Sequence, residues 1–547
     1  MLLGGVVTAC GSDPAPRVLD YVVDATLRTY NANTDNGNAD GTLMATTRVL
    51  PGFSFLGAAG QVTPDRDVGT VTVVPGARLT LKYDFNPRAT YSDGVPMGCD
   101  DLVLAWAAMS GRFDRFAPAT TAGYRDIENV DCAENAKTAT VIFAAGRDYR
   151  NWLSLFGAGT LLPAHVVARE AGVANVVEPI RTRNRSVMSR IAEAWNTGFD
   201  LRPGQIDKTR FPASGPYRIE SYSATGGLQL VANDAWWGDK PAEPRIAIFG
   251  RGNDAAGRLA RGDYDIADVT AGLTDADNAT ATPATGAPGK ALGVEGLVLS
   301  NRGVFADVRV RRAFASCVPR DRLAQQFGAG AQLWNMRTLA PGDDLAASIN
   351  GEFGRDYARP VPDRTRSLLA EAAGTSDDGT PRSPARTVRI GYVAPTPRWQ
   401  QMVEVINASC RPAGITVTDT ATDNGGVGML GSSADALLVV NGASFAAAGA
   451  QDPTRDAYQL RGDDPLDLSD FSNPQVNRAV DDLAVADLDS DRLGLVRTIE
   501  NGAWAQVPSI PLFAAPRVYR WKDRANNVVA GLGRNGTGWN MDRWVLK

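Results

Sequence analysis

Residues 217–222, Tyr217-Arg218-Ile219-Glu220-Ser221-Tyr222, set apolar against polar positions with the two-residue period of a half-buried strand. Thr225-Gly226-Gly227 supplies a hairpin turn, and 228–232 the returning strand. An aromatic turn follows, Trp236-Trp237-Gly238-Asp239-Lys240-Pro241, then a strand over 245–249, a short helix over 254–261 and a strand over 264–269. Upstream, the pattern predicts strands at 18–29, 71–74, 79–85, 127–131 and 138–143, and helices at 43–50 and 149–156. Leu102, Val103, Trp106 and Met109 recur at helical spacing and mark a buried helix face. That helix follows the turn Ser92-Asp93-Gly94, and Asp100 and Asp101 in its first turn read as caps that offset the helix dipole. The polar helical stretch 176–200 carries Arg181, Arg183, Arg185 and Arg190, a solvated basic face. Downstream, strands at 388–392, 415–419, 434–440 and 510–513 are interleaved with helices at 399–410, 473–486 and 491–505, a rhythm that predicts an α/β lobe. Residues 271–292 and 376–384 read as crossing segments or loops.

A chain of 547 residues exceeds one hydrophobic core, so two or three lobes are expected. The net charge of -5 argues against a nucleic-acid footprint. His165 is the sole histidine, and neither G-x-S-x-G nor H-E-x-x-H occurs, so the sequence offers no hydrolase, no metal site and no cofactor chemistry. Gly531-Leu532-Gly533-Arg534-Asn535-Gly536 matches G-x-G-x-x-G, but no strand-turn-helix unit surrounds it, so it is no dinucleotide site. Near the start, Val7-Thr8-Ala9-Cys10 fits a lipobox, which makes Cys10 the lipidation residue, and 11–16 a tether. The apolar run before it is short and lacks a basic leader, which points to a start further upstream. No later run is long enough to span a bilayer.

The block over 214–269 resembles the family 5 oligopeptide-binding receptors of ABC importers. Its family pattern stands here as Ser214-Gly215-Pro216-Tyr217, Asn233-Asp234-Ala235-Trp236-Trp237-Gly238, Pro241 and Gly262-Asp263-Tyr264-Asp265-Ile266. Further matches are Tyr91-Ser92-Asp93-Gly94 with Asp101, Leu161-Leu162-Pro163-Ala164-His165, and Val308-Arg309-Val310-Arg311 with Ala313, so recognisable blocks recur from about residue 80 to 515. The resemblance implies an α/β fold of the periplasmic-binding-protein type II-like class, two α/β lobes around a ligand cleft. Its expected boundaries are 1–17 for the tether, 18–272 for lobe 1 with a subdomain inserted at about 60–200, 273–505 for lobe 2, and 506–547 for the return to lobe 1. Export makes four cysteines, Cys99, Cys132, Cys317 and Cys410, candidates for two disulfides with three possible connectivities. The favoured pairing is Cys99 with Cys132, both in lobe 1, which leaves Cys317 with Cys410, each on a core-facing helix position.

The resemblance further implies capture of an oligopeptide, or a similar extended solute, by hinge closure and delivery to ABC permease subunits. The receptor would be a monomer that touches the membrane through its lipid anchor alone, at the outer face of the cytoplasmic membrane. Tyr30 and Asn31, on the loop after the first strand, and Trp334 are the implied ligand contacts. Peptide receptors also carry, after the strand that ends near 440, an aspartate for the ligand's α-amino group, and Asp452 with Arg455 is the nearest match. Ala447 to Ala450 stand where another acid belongs, a departure that keeps a second reading open: an envelope lipoprotein of the same fold, acting as a scaffold or glycolipid-binding factor in cell-wall assembly.

Overall fold

The computed structural model describes residues 17–204, 206–273, 292–374, 385–445 and 453–547. Cys10, Asp452 and most of the crossing segment 271–292 lie outside them. Lobe 1 is built on a six-stranded sheet in the order Arg517–Trp521, Ile266–Thr270, Leu19–Val23, Arg245–Phe249, Gly227–Ala232, Tyr217–Ser223. Leu19–Val23 lies parallel to both neighbours, with Tyr21 beside Ile248 and Ile266. Such central parallel strands are covered on both faces, which is why 266–270 is buried throughout.

The hairpin at 217–232 forms with one refinement. A bulge between Ile219 and Ser221 lets Tyr222 rejoin Tyr217 and Ile219 on the buried side, which strict alternation from Tyr217 would forbid. Gly227 closes the turn at φ 68°, and a Cβ there would sit 2.3 Å from the carbonyl oxygen of Ile248. Only glycine meets both conditions.

Lobe 2 is a five-stranded sheet in the order Ile415–Asp419, Arg386–Gly391, Ala436–Val440, Val294–Leu299, Ser509–Ala514. The helix Pro397–Cys410 makes the crossover between the parallel pair Arg386–Gly391 and Ile415–Asp419. Ser509–Ala514 departs from the expected boundary at 506. Its residues through Phe513 are buried, and it pairs antiparallel with Val294–Leu299 as an edge of lobe 2. The chain returns to lobe 1 one strand later, at Arg517–Trp521, which pairs with Ile266–Thr270. The two crossings run side by side. Ala515 N–H donates to Gly293 at 2.8 Å and Ala271 N–H to Pro516 at 3.0 Å. Tyr149 to Phe156 also differs from the expected helix: a short turn at Trp152–Ser154 forms there, and Phe156 adopts φ 52°, which no helix can contain.

The inserted subdomain is a four-stranded antiparallel sheet, Gly69–Val73, Thr80–Phe85, Thr138–Phe143, Ile127–Asp131, covered by the helix Cys99–Met109. All of that helix but Asp100 is buried. Asp101 accepts from the backbone N–H of Gly98 at 3.0 Å and of Ala164 at 2.9 Å, so one carboxylate caps its own helix and tethers the next, Ala164–Glu170. Disulfides join Cys99 to Cys132 and Cys317 to Cys410.

Burial pushes the Asp101 carboxyl up to about 6 against the pull of those two N–H donors. The folded state therefore holds this proton more tightly than the unfolded chain. Its stabilisation is complete below about pH 4 and is lost as pH rises through about 6. Asp101→Asn removes the titration. Urea unfolding measured from pH 4 to pH 6.5 should show wild type losing roughly 2 kcal/mol more than the variant. Parallel curves would refute the assignment.

Candidate interlobe solute site

The lobes meet through a short helix, Asp35–Asp40, on the loop after the first strand of lobe 1. Thr34 starts it by accepting from Gly37 N–H at 3.1 Å, and Gly41 ends it at φ 71°. Ala39 accepts from the Phe445 N–H at 3.0 Å, and Asn38 Oδ1 accepts from Arg455 Nη2 at 2.9 Å, both from lobe 2. Arg28 reaches across to the carbonyls of Gly425 at 2.8 Å and Asp423 at 2.7 Å. Arg251, paired with the fully buried Asp24, donates to Val393 at 2.9 Å, Thr396 at 3.1 Å and Phe445 at 3.1 Å. From the subdomain, Thr121 gives its N–H and hydroxyl to Asp464 at 2.9 and 2.6 Å. The lobes are therefore shut on each other.

The helix Asp35–Asp40 divides the space left between them. Asp35, Asn36 and Asp40 line one space and Asn38 another. The first three face a groove of about 980 Å³, walled by 196–203 and by 424–433 of lobe 2. Its lining is mostly polar: Arg28, Asn196, Asp200, Arg202, Asn424 and Ser432 are typical. Asn38 faces an inner cavity of about 80 Å³, beside a second of about 70 Å³, and the two share Asn33, Ser154, Thr160 and Arg534 in their walls. Tyr124 and Tyr149 of the subdomain and Arg455 of lobe 2 complete its wall. Burial first, and then the like charge of Arg455, holds the Arg534 guanidinium well below the usual arginine range, while Asp456 acts the other way.

Of the ligand contacts expected from sequence, Arg455 lines the cavity, Tyr30, Asn31 and Trp334 do not, and Asp452 lies outside the described residues. Tyr30 is buried in lobe 1, where its hydroxyl donates to Pro212 at 2.9 Å. Asn31 is equally buried. Its Nδ2 donates to Trp195 at 2.9 Å, and its Oδ1 accepts from both the backbone N–H and Nδ2 of Asn33 at 3.0 Å. Asn31 thus orients Asn33, the residue two positions on that does face the cavity. Trp334 packs inside lobe 2, with Nε1 donating to Leu339 at 3.0 Å. His165 pairs with Asp93 at 2.8 Å beside the Tyr91 ring, away from the cavity lining.

Arg534 escaped sequence reasoning, although its surroundings carried a signal. It sits in the G-x-G-x-x-G run, where the glycines serve a tight turn. A Cβ on Gly531 would lie 2.2 Å from the Gly536 carbonyl oxygen, and Gly536 has φ 57°. Leu532 N–H bonds to Ala58 at 2.9 Å and Thr537 N–H to Asp268 at 2.7 Å, so both ends of the turn are pinned to lobe 1 and Arg534 is presented inward.

Residues 77–450 match the profile of the bacterial extracellular solute-binding proteins, family 5 middle. The chain belongs to this family. A lipoprotein of Mycobacterium tuberculosis with no characterised role is 38% identical over 99% of this chain and 95% of its own length. The fold is that of solved receptors. Haemophilus influenzae OppA, in complex with the peptide RPPGFSPFR, superposes with a TM-score of 0.72 at 16% identity, covering 97% of this chain and 99% of its own. Bacillus subtilis AppA, in complex with a nonapeptide, gives 0.73 at 14% identity, covering 97% and 99%. Family 5 proteins are solute-binding proteins, which supports a substrate-binding role for this chain. No helix among the described residues is long and apolar enough to cross a membrane.

Proposed function

We propose that this protein is the solute receptor of an ABC importer. It is held at the outer face of the cytoplasmic membrane through lipid on Cys10, takes an oligopeptide or a similar extended solute between its lobes, and hands it to the permease. The observation that carries this reading is the polar groove of about 980 Å³ beside the helix Asp35–Asp40, walled by both lobes. Most of its lining residues carry charged, amide or hydroxyl groups, which suit a hydrated peptide backbone with varied side chains. An acyl chain would need an apolar trough, and Met429, Leu201, Pro203 and Ala117 are the few apolar side chains in this lining, so the groove favours a hydrophilic solute over a glycolipid.

A ligand that binds only the folded state raises stability by about 2.7 kcal/mol at a hundred times its dissociation constant. A pool of short peptides should therefore raise the melting temperature of the purified protein, and native mass spectrometry should recover bound peptides of narrow length range. Indifference to every peptide, with a glycolipid released on denaturation, would overturn the proposal.

A further inference from the structure

We propose that Arg251 is the latch of the shut form. It stays with Asp24 in lobe 1 and gives its remaining donors to lobe 2, so it sets how readily the lobes part and how tightly a solute is held between them. The inference rests on the solute-receptor reading and adds to it the residue that positions the two lobes.

Arg251 follows the strand Arg245–Phe249 and opens a short turn, Arg251–Asn253. Its backbone N–H donates to the Ala25 carbonyl at 2.8 Å. Gly250 permits that approach, since a Cβ there would lie 2.4 Å from the same oxygen. The turn delivers the side chain to the lobe boundary, where it is 6% exposed. Its Nε donates to Asp24 Oδ1 at 2.5 Å. The other oxygen of Asp24 accepts from the Thr270 N–H at 3.3 Å and from the Thr270 hydroxyl. Thr270 ends the strand Ile266–Thr270, one residue before the crossing contact of Ala271 with Pro516. The carboxylate is thus fixed within lobe 1, beside the crossings.

The other two nitrogens serve lobe 2. Nη1 donates to the Val393 carbonyl at 2.9 Å and the Thr396 hydroxyl at 3.1 Å, and Nη2 to the Phe445 carbonyl at 3.1 Å. Val393 follows the strand Arg386–Gly391, Thr396 precedes the helix Pro397–Cys410, and Phe445 follows the strand Ala436–Val440. Phe445 is gripped from both sides, because its N–H donates to Ala39 of lobe 1 at 3.0 Å. Arg28 crosses the boundary too, but its acceptors Gly425 and Asp423 belong to a loop whose residues 422–424 are exposed, so water competes for them. Parting the lobes takes three acceptors from Nη1 and Nη2 while Nε keeps its carboxylate. The guanidinium stays paired in both states, so opening costs the lobe-2 hydrogen bonds and strands no charge. Closure of this kind multiplies into affinity: the apparent dissociation constant is the intrinsic one divided by the closed fraction.

The test compares the purified full chain with Arg251→Gln, Arg251→Lys and Thr396→Val. The radius of gyration from small-angle X-ray scattering reads closure, and thermal shift along a titration with a random tripeptide pool reads affinity. Before peptide is added, Arg251→Gln should have a larger radius than wild type. It should contract as the pool is added and should need at least about tenfold more peptide for the same shift. Arg251→Lys keeps a positive charge beside Asp24 and should recover part of both readings. Thr396→Val removes one lobe-2 acceptor, leaves the pair of Arg251 with Asp24 intact and should move both readings the same way by less. It decides the matter should the glutamine variant fail to fold. A wild-type radius and a wild-type peptide response in Arg251→Gln, even at a lower melting temperature, would overturn the latch and leave the receptor reading standing. Expansion of Arg251→Gln, with neither it nor wild type responding to the pool, would support the latch and count against peptide capture.

Discussion

Glu500→Leu is expected to lower the stability of lobe 2 by about 3–5 kcal/mol, because it strands buried positive charge. Glu500 sits on the helix Asp489–Gln506 and is fully buried. Its Oε1 accepts from the backbone N–H groups of Arg337 at 2.5 Å and Thr338 at 2.9 Å, and from the Thr338 hydroxyl at 3.0 Å. Its Oε2 accepts from Arg337 Nη1 at 2.9 Å. Arg337 also donates to Ser509, its guanidinium lying 4.5 Å from the Trp504 ring centre. Arg320 lies 4.9 Å from the same ring and is held by neutral oxygens of Pro511, Trp334, Asn335 and Gly354. Burial, with the charge of Arg337 added, pushes Arg320 down to about 9. Removing Glu500 would leave two guanidiniums on one indole with no carboxylate among the charges described there.

Urea unfolding should show the loss as a lower midpoint with an unchanged slope. Glu500→Gln keeps one accepting oxygen and should cost less. Adding Arg337→Met to Glu500→Leu should recover part of the loss, since an apolar replacement of both partners removes the orphaned charge. An unchanged midpoint in Glu500→Leu would show that water reaches the cluster and screens it. The cluster also explains the position of Trp334: its loop is tied down by Arg320 and by the pairing of Leu333 with Phe513, inside lobe 2.

Removing the second disulfide by Cys317→Ala with Cys410→Ala is expected to cost about 4–5 kcal/mol. The bond joins the ends of the helices Val308–Cys317 and Pro397–Cys410 across a sequence separation of 93. It thereby closes a long loop in the unfolded chain, and closure entropy grows with the logarithm of loop length. Both sulfur positions are buried, and Ser409 already donates to the Cys317 carbonyl at 2.7 Å, so the folded helices have other contacts to hold them. The effect should therefore lie mainly in the unfolded state and appear as a lower urea midpoint at equal native structure. Removing Cys99 and Cys132 instead, with a separation of 33, should cost about 1 kcal/mol less. Equal losses, or none, in urea titrations of the two double variants would contradict this ordering.

Local pattern carried much of the architecture. The strand at 217–222, the turn at 225–227 and the apolar run that became Ala436–Val440 are consequences of nearest neighbours along the chain, and the structure contains each of them, with a bulge after Ile219 as the one break in the period of two. Asp101 as a cap was legible for the same reason: a carboxylate in the first turn meets N–H groups that belong to its own helix. The order of the motif blocks was enough to indicate the family, and with it the two-lobed fold.

The arrangement of those elements was decided in three dimensions. Ser509–Ala514 is apolar enough to be buried in either sheet, and a free edge beside Val294–Leu299 determines which one receives it. Asn31 and Asn33 are the same residue type two places apart on one loop, and the Trp195 carbonyl turns the first inward and leaves the second to the cavity. Arg455 and Arg534 are separated in the chain by the helices Pro474–Leu483 and Asp489–Gln506 and the final return to lobe 1, and no periodicity links them. Sequence by itself determined most of the strands, helices and turns, the segment 149–156 excepted, because hydrogen bonding and burial period act within a few residues. Only the tertiary structure brought two arginines to one cavity, because charges meet there by the docking of two lobes rather than by spacing along the chain.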